Sequence, residues 1–209
     1  MCGITGIFKF NGKVDVDYLN EINNTLIHRG PDNGAIKIFG NVGLGHRRLS
    51  IIDLSKKANQ PMSCDSNRFT IVFNGEVYNF KEIKKRLSSN GVIFKSTSDT
   101  EVLLKAYIHF GVDSFSMFNG MFALAIYDNI EEKLILARDQ FGIKPLYIYR
   151  DNNLLIFSSE KKAILKSKNI TTSINKQALL EYIWFGNPLG DNTIYNEINE
   201  LEVYVSKYS

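Results

Sequence analysis

The chain has 209 residues, 44% of them hydrophobic, including 14 Phe and 10 Tyr, so it can bury a core of its own and is not a disordered chain. Its formal charge is +3, from 25 basic and 22 acidic residues, and no basic stripe interleaves with stacking aromatics, which argues against a nucleic-acid partner. Two cysteines make no secreted disulfide framework, no signal-peptide pattern precedes Asp15, and no run approaches 18 apolar residues, so a cytoplasmic protein with no membrane partner is expected.

Residues 3–10 read as a strand whose Gly3 and Gly6 point to close backbone approaches. Val16, Leu19, Ile22 and Leu26 recur at helical spacing and predict an amphipathic helix over about 15–27, ended by Arg29, Gly30 and Pro31. Strands are expected near 35–39, 42–46, 69–74, 92–95, 121–128, 133–138, 146–150 and 154–158. Helices are expected from Asn79, from Ser98 with Glu101 as a capping-box partner, and over about 160–166 and 175–185. Asn129 and Asp151-Asn152-Asn153 read as hairpin turns, and Glu197 begins a further element. Short turns between strands, with helices between groups of strands, fit antiparallel sheets covered by helices, an α+β class, better than a doubly wound sheet.

Cys2 is the first residue with chemical potential. A small buried apolar group is its plain alternative. With Met1 removed, Cys2 owns an α-amine of reference pKa about 7.7–8.0 beside a thiol of about 8.5, so one residue supplies nucleophile and proton acceptor. Asn74 and Gly75 follow an apolar run and read either as a turn or as two donors aimed at one oxyanion. Arg48 directly precedes Leu49–Ile52 and suits an α-carboxylate. Strand alternation sends Arg47 the other way, so only one of the pair serves. Asp99 is either an acidic first-turn residue or the partner of a substrate ammonium. His46 reads as structural. Cys2, Cys64, His28, His46 and His109 lack metal-ligand spacing, and no phosphate-binding GxxxxGK[ST] loop is present.

Assembled, the chain resembles the N-terminal glutaminase domain of glutamine-hydrolysing asparagine synthetases. These are class II glutamine amidotransferases of the N-terminal-nucleophile hydrolase type. The resemblance covers roughly residues 1–195 and rests on MCGI at 1–4, HRGPD at 28–32, RLSIID at 48–53, NGEVYN at 74–79, SDTE at 98–101, FNGMFA at 118–123, RDQFGIKPLY at 138–147 and SSEKKA at 158–163. In that order and spacing the motifs are highly specific, and the last two favour the asparagine-synthetase branch.

The resemblance implies a four-layer αββα sandwich. It makes Cys2 the nucleophile, Asn74 and Gly75 the oxyanion hole, Arg48 the carboxylate ligand, and Glu76 with Asp99 the ammonium ligands of glutamine. Arg29 belongs to a loop covering the site, and Arg138, Asp139 and Lys144 are structural or interdomain residues. No cofactor is expected for glutamine hydrolysis; ATP and magnesium are expected only in a missing or separate synthetase domain. That domain needs a Ser-Gly-Gly-x-Asp-Ser loop, which this sequence lacks, and the family's Leu-Pro-Pro-Gly-His-like segment is replaced by the stretch at 201–205. Residues 196–209 are therefore expected to be a truncated or atypical tail, and the chain alone should not make asparagine. Expected partners are glutamine, a synthetase domain or subunit, and a second copy in a homodimer. Rival readings are a stand-alone subunit feeding ammonia to another acceptor in sugar or peptide biosynthesis, and a non-catalytic interaction domain.

Overall fold

The alternation of apolar side chains along the strands decides how the layers stack. The computed structural model describes residues 1–167, 170–202 and 204–208. In chain order the elements are β1 (Gly3–Lys9), α1 (Val16–Asn24), β2 (Asn33–Ile38), β3 (Val42–Arg48), β4 (Met62–Ser63), β5 (Phe69–Val77), α2 (Phe80–Ser89), α3 (Asp99–Phe110), β6 (Gly120–Asp128), β7 (Lys133–Arg138), β8 (Tyr147–Arg150), β9 (Leu154–Ser158), α4 (Lys161–Leu165), α5 (Lys176–Phe185), β10 (Ile198–Glu200) and β11 (Tyr204–Tyr208). One sheet has the order β10-β8-β9-β1-β3-β2 and the other β11-β7-β6-β5-β4. Every pairing within them is antiparallel.

Ile4 and Phe8 of β1 meet Ala123, Ala125 and Tyr127 of β6 in the core between the sheets, with Leu155 and Phe157 of β9. The residues between them face outward. Ile7 and Ile156 pack with Leu19 and Ile22 of α1 and Ala163 and Ile164 of α4. Leu124 and Ile126 pack with Ile83 and Leu87 of α2 and Val102, Leu103 and Ala106 of α3. Helices therefore cover both sheets, giving the expected αββα layers. Because each sheet is buried on both faces, β6 is apolar at nearly every position instead of alternating with polar residues. At Gly6 the packing leaves no room for a side chain: a Cβ there would lie 2.3 Å from the Phe157 ring.

Several local expectations need correction. Residues 92–95 are not a strand. Val92 N–H donates to Leu87 O, and the Lys95 and Ser96 N–H groups donate to the Glu101 carboxylate, so the segment is a connector stapled between α2 and α3. Glu101 is thereby drawn away from a capping box, although Ser98 does cap α3 by accepting from Thr100 N–H at 3.1 Å. Helix α1 stops at Asn24, and turns carry the chain to residue 29 while keeping Leu26 buried. Strand β5 runs on through Asn74 and Gly75 to Val77, so that pair is not a turn. Sheet pairing continues past residue 195: β10 joins β8 and β11 joins β7. Within the expected 196–209 tail, residues 203 and 209 lie outside the described residues.

Candidate active site

Strand β1 lies inside its sheet between β3 and β9, and Cys2 stands just before it. The antiparallel register sets Gly3 opposite Arg47, which brings the end of β3, and so Arg48, beside Cys2. The Cys2 sulfur accepts the Leu49 N–H at 3.4 Å. Burial pushes the thiol up from its ordinary value, opposed by that N–H, the chain-terminal charge and Arg48. Such a thiol does not ionise unaided at neutral pH and needs a base beside it. Arg29 clamps the Cys2 carbonyl at 2.9 Å and pairs with Glu160 at 3.0 Å. It braces the Cys2 backbone from outside the lining of the adjoining cavity.

That cavity has a volume of about 150 Å³, and Cys2, Arg48, Asn74, Gly75, Glu76 and Asp99 all line it. Asn74 is 1% exposed, and its Nδ2 is a buried donor with no hydrogen-bond partner among the described residues. An unpaired buried donor is costly, which marks it as a group held for a ligand.

Gly75 follows from strand geometry. It faces Phe122 of β6, whose N–H and carbonyl are both engaged by Asp139. The two residues are thus a non-hydrogen-bonded pair, and the Gly75 N–H points off the far edge of β5. Phe73 and Val77 point the same way: Phe73 N–H donates to Gln60 Oε1 at 2.6 Å and Val77 N–H to Asp99 Oδ2 at 3.4 Å. Between them the Gly75 N–H faces the cavity. A Cβ on Gly75 would sit 2.3 Å from the Met121 carbonyl oxygen, so only glycine lets β6 approach this closely.

Arg48 and Arg47 diverge as strand alternation requires. Arg47 bonds the carbonyl of Asn23 and the side chain of Asn24 beside α1. Arg48, 7% exposed, donates to Ser55 O, Asn59 Oδ1 and Asp53 O, which ties the 50–59 loop over its guanidinium. Asp53 in turn accepts from Thr97, linking that loop to the start of α3. Asp99 opens α3 and is pushed up to about 6 by burial, with the Glu76 carboxylate adding to the rise. His46 is fully buried, its ring bonded to the Phe73 carbonyl across the two sheets, and burial lowers it to about 3. It is therefore neutral at working pH and a structural tie.

Two cavity residues escaped the sequence reading. Gln60 bridges Phe73 N–H to Thr100 Oγ1, and no periodicity or motif marks its loop. Lys144, read as structural or interdomain, lines the cavity with its Nζ 2.9 Å from the Met1 sulfur. Its motif was visible, but the direction of its side chain was not.

Residues 1–206 match the family model described as a glutamine amidotransferase domain. Glutamine-hydrolysing asparagine synthetase 1 of Bacillus subtilis is 39% identical over 88% of this chain and 30% of its own length. Glutamine-hydrolysing asparagine synthetase 3 of the same organism is 36% identical over 89% of this chain and 31% of its own. The glutamine phosphoribosylpyrophosphate amidotransferase of B. subtilis, solved with ADP and GMP, shares the fold at a TM-score of 0.69 and 22% identity, over 92% of this chain and 54% of that one. The chain spans less than half the length of the curated relatives it matches.

Proposed function

The chain belongs to the glutamine amidotransferase domain family and is homologous to glutamine-hydrolysing asparagine synthetases, and from that premise we propose that Cys2, freed of Met1, hydrolyses glutamine to glutamate and ammonia. One observation carries the assignment. A single cavity joins the Cys2 thiol to an unpaired buried amide donor on Asn74 and to opposite charges on Arg48 and Asp99.

The Cys2 amine takes the thiol proton, and the sulfur bonds to the side-chain amide carbon of glutamine. The resulting oxyanion rests on Asn74 Nδ2 and Gly75 N–H. Arg48 holds the α-carboxylate, while Asp99 and Glu76 hold the α-ammonium. The C–N bond breaks as the Cys2 ammonium protonates the departing nitrogen, which leaves as ammonia. Water then adds to the γ-glutamyl thioester, the thiol is restored with its proton, and glutamate departs. No cofactor enters these steps.

Residues 1–195 form the glutaminase unit in this reading, and 196–209 are a tail that adds an edge strand to each sheet. The ammonia goes to a synthetase domain or subunit that activates aspartate with ATP and magnesium. In this reading ATP and magnesium belong to that partner. The apolar outer face of α5 supports a docking partner of this kind, with a second copy of the chain as the other candidate. No helix among the described residues is long and apolar enough to cross a membrane. Two free cysteines suit a reducing cytoplasm.

Ammonia release from glutamine tests the proposal, with intact mass establishing that Met1 is gone. Cys2→Ala is expected to abolish release while leaving the circular dichroism spectrum unchanged. Undiminished hydrolysis by that variant overturns the assignment.

A further inference from the structure

The loop joining β7 to β8 is built around two buried charges. Asp139, 1% exposed, accepts N–H groups from Phe122 at 3.0 Å, Phe141 and Ile143 at 3.1 Å, and Lys144 at 3.2 Å. Arg138 donates to the carbonyls of Lys144 at 2.8 Å, Gly142, and Leu201 at 3.1 Å, and to the Glu200 carboxylate at 2.8 Å. These bonds fix the backbone that carries Lys144. The lysine is 5% exposed and, among the described residues, forms no ion pair. Its ammonium is aimed instead at the start of the chain, 2.9 Å from the Met1 sulfur. Burying a cation costs free energy. A scaffold that accepts this cost and spends two further buried charges on the loop points to a use for the cation at Cys2.

We propose that the Lys144 ammonium is a positioning residue that holds the α-amine of processed Cys2 in its neutral, proton-accepting form. This rests on Cys2 being the nucleophile. Met1, Cys2 and Lys144 line one cavity, and the Cys2 charge acts on Lys144, so the cation shares the space into which the amine of processed Cys2 opens. A positive neighbour disfavours a second positive charge, which is how a nearby cation activates an amine.

The charges around this point come from every packed element. Arg29 follows α1, Arg48 ends β3 and Lys144 ends the loop; against them stand Glu76 of β5, Asp99 of α3 and Asp139. Arg29 is drawn to Glu160, beside α4. Removing Lys144 leaves carboxylates in excess, and these stabilise the protonated amine, which cannot take the thiol proton. Burial, with Arg29 adding to it, pushes Lys144 down from the ordinary lysine value, opposed by Asp139, Cys2 and Glu76.

The test compares glutaminase kcat/KM against pH for wild type, Lys144→Met and Lys144→Arg, all with Met1 removed. In Lys144→Met the acid limb is expected to move up by roughly one pH unit, a loss of about tenfold below the limb that vanishes above it. Lys144→Arg keeps the cation and is expected to restore the limb. Lys144→Gln replaces the Met variant if that protein does not fold. An unmoved limb, or a loss equal at every pH, overturns the proposal. A second readout is independent of turnover: the Cys2 ¹³Cα chemical shift reports titration of the α-amine directly. The same upward shift in the uncharged variants supports the proposal, and its absence overturns it. If the wild type releases no ammonia while the amine titration still shifts, the failure lies with Cys2 as nucleophile and not with the action of Lys144.

Discussion

Burial pushes the Asp99 carboxyl up to about 6, helped by Glu76 and opposed by the N–H groups of Val77 and Thr100. An unfolded aspartate titrates near 3.9, so the unfolded chain sheds this proton first as pH rises. Between about pH 4 and 6 the native state binds the extra proton, and Asp99 makes stability fall as pH rises through that window. Above it, the buried charge is a standing cost. Asp99→Asn is therefore expected to raise Tm at pH 7. The same variant loses the charge proposed to meet the glutamine ammonium, so KM for glutamine is expected to rise by about tenfold or more. In the wild type, a further fall in kcat/KM is expected below about pH 6, separate from the limb that the Cys2 amine sets, because a protonated Asp99 would not attract the ammonium. Thermal melts and steady-state kinetics check all three; a lower Tm with an unchanged KM would assign Asp99 to α3 capping alone. Asn74 shows the opposite economy, since its Nδ2 has no partner among the described residues and removing it breaks no hydrogen bond to them.

At the scale of elements, β5 is the support of the site. Its Asn74 and Glu76 line the cavity, while the N–H groups of Phe73, Gly75 and Val77 point off one edge. Strand β4 pairs only Thr70 and Ile71 along that edge, so beyond them the donors are free for Gln60, the cavity and Asp99. Gly75→Ala drives a Cβ to 2.3 Å from the Met121 carbonyl oxygen and 2.7 Å from Phe122 Cα, and backbone atoms cannot rotate aside. The expected result is a loss of about 1–3 kcal/mol in urea denaturation. Activity should fall further than stability, because β5 must shift away from β6 and carry its N–H out of line. A variant with native stability and native activity would show that this approach is not needed. The connector at 92–97 follows the same logic: Glu101, one turn into α3, holds three donors of Lys95 and Ser96 and sets the path between α2 and α3.

At the scale of the whole molecule, α5 stands apart from the core. Leu180, Ile183, Trp184 and Phe185 are 52%, 68%, 79% and 70% exposed, and Leu179, Tyr182 and Leu189 extend the patch. Scattered apolar residues on a surface are ordinary, whereas a run of this size is what a docking partner would cover. Trp184 is the only tryptophan in the sequence and so reports on it directly. Adding a synthetase-like partner should shift Trp184 emission to the blue, and Phe185→Glu should weaken that association while leaving glutamine hydrolysis unchanged. A blue shift that follows protein concentration without partner would instead identify a second copy of this chain as the occupant.

Much of this was legible along the chain. Helical spacing found α1 through Val16, Leu19 and Ile22, the turn residues at Asn129 and Asp151–Asn153 found two hairpins, and Ser98 caps α3 as its side chain allows. The order of motifs was enough to gather Cys2, Arg48, Asn74, Gly75, Glu76 and Asp99 as one set. Residues 92–95 misled because a short β-branched and aromatic run looks alike whether it pairs with a strand or crosses between helices. Which way the backbone donors of β5 face and that Lys144 turns inward to Met1 were decided only when the two sheets packed. The sequence determined the chemical groups available, because composition and spacing are local. Tertiary structure decided which of them share a cavity and how their charges act on one another, because burial and Coulomb interaction depend on distance in space and not along the chain.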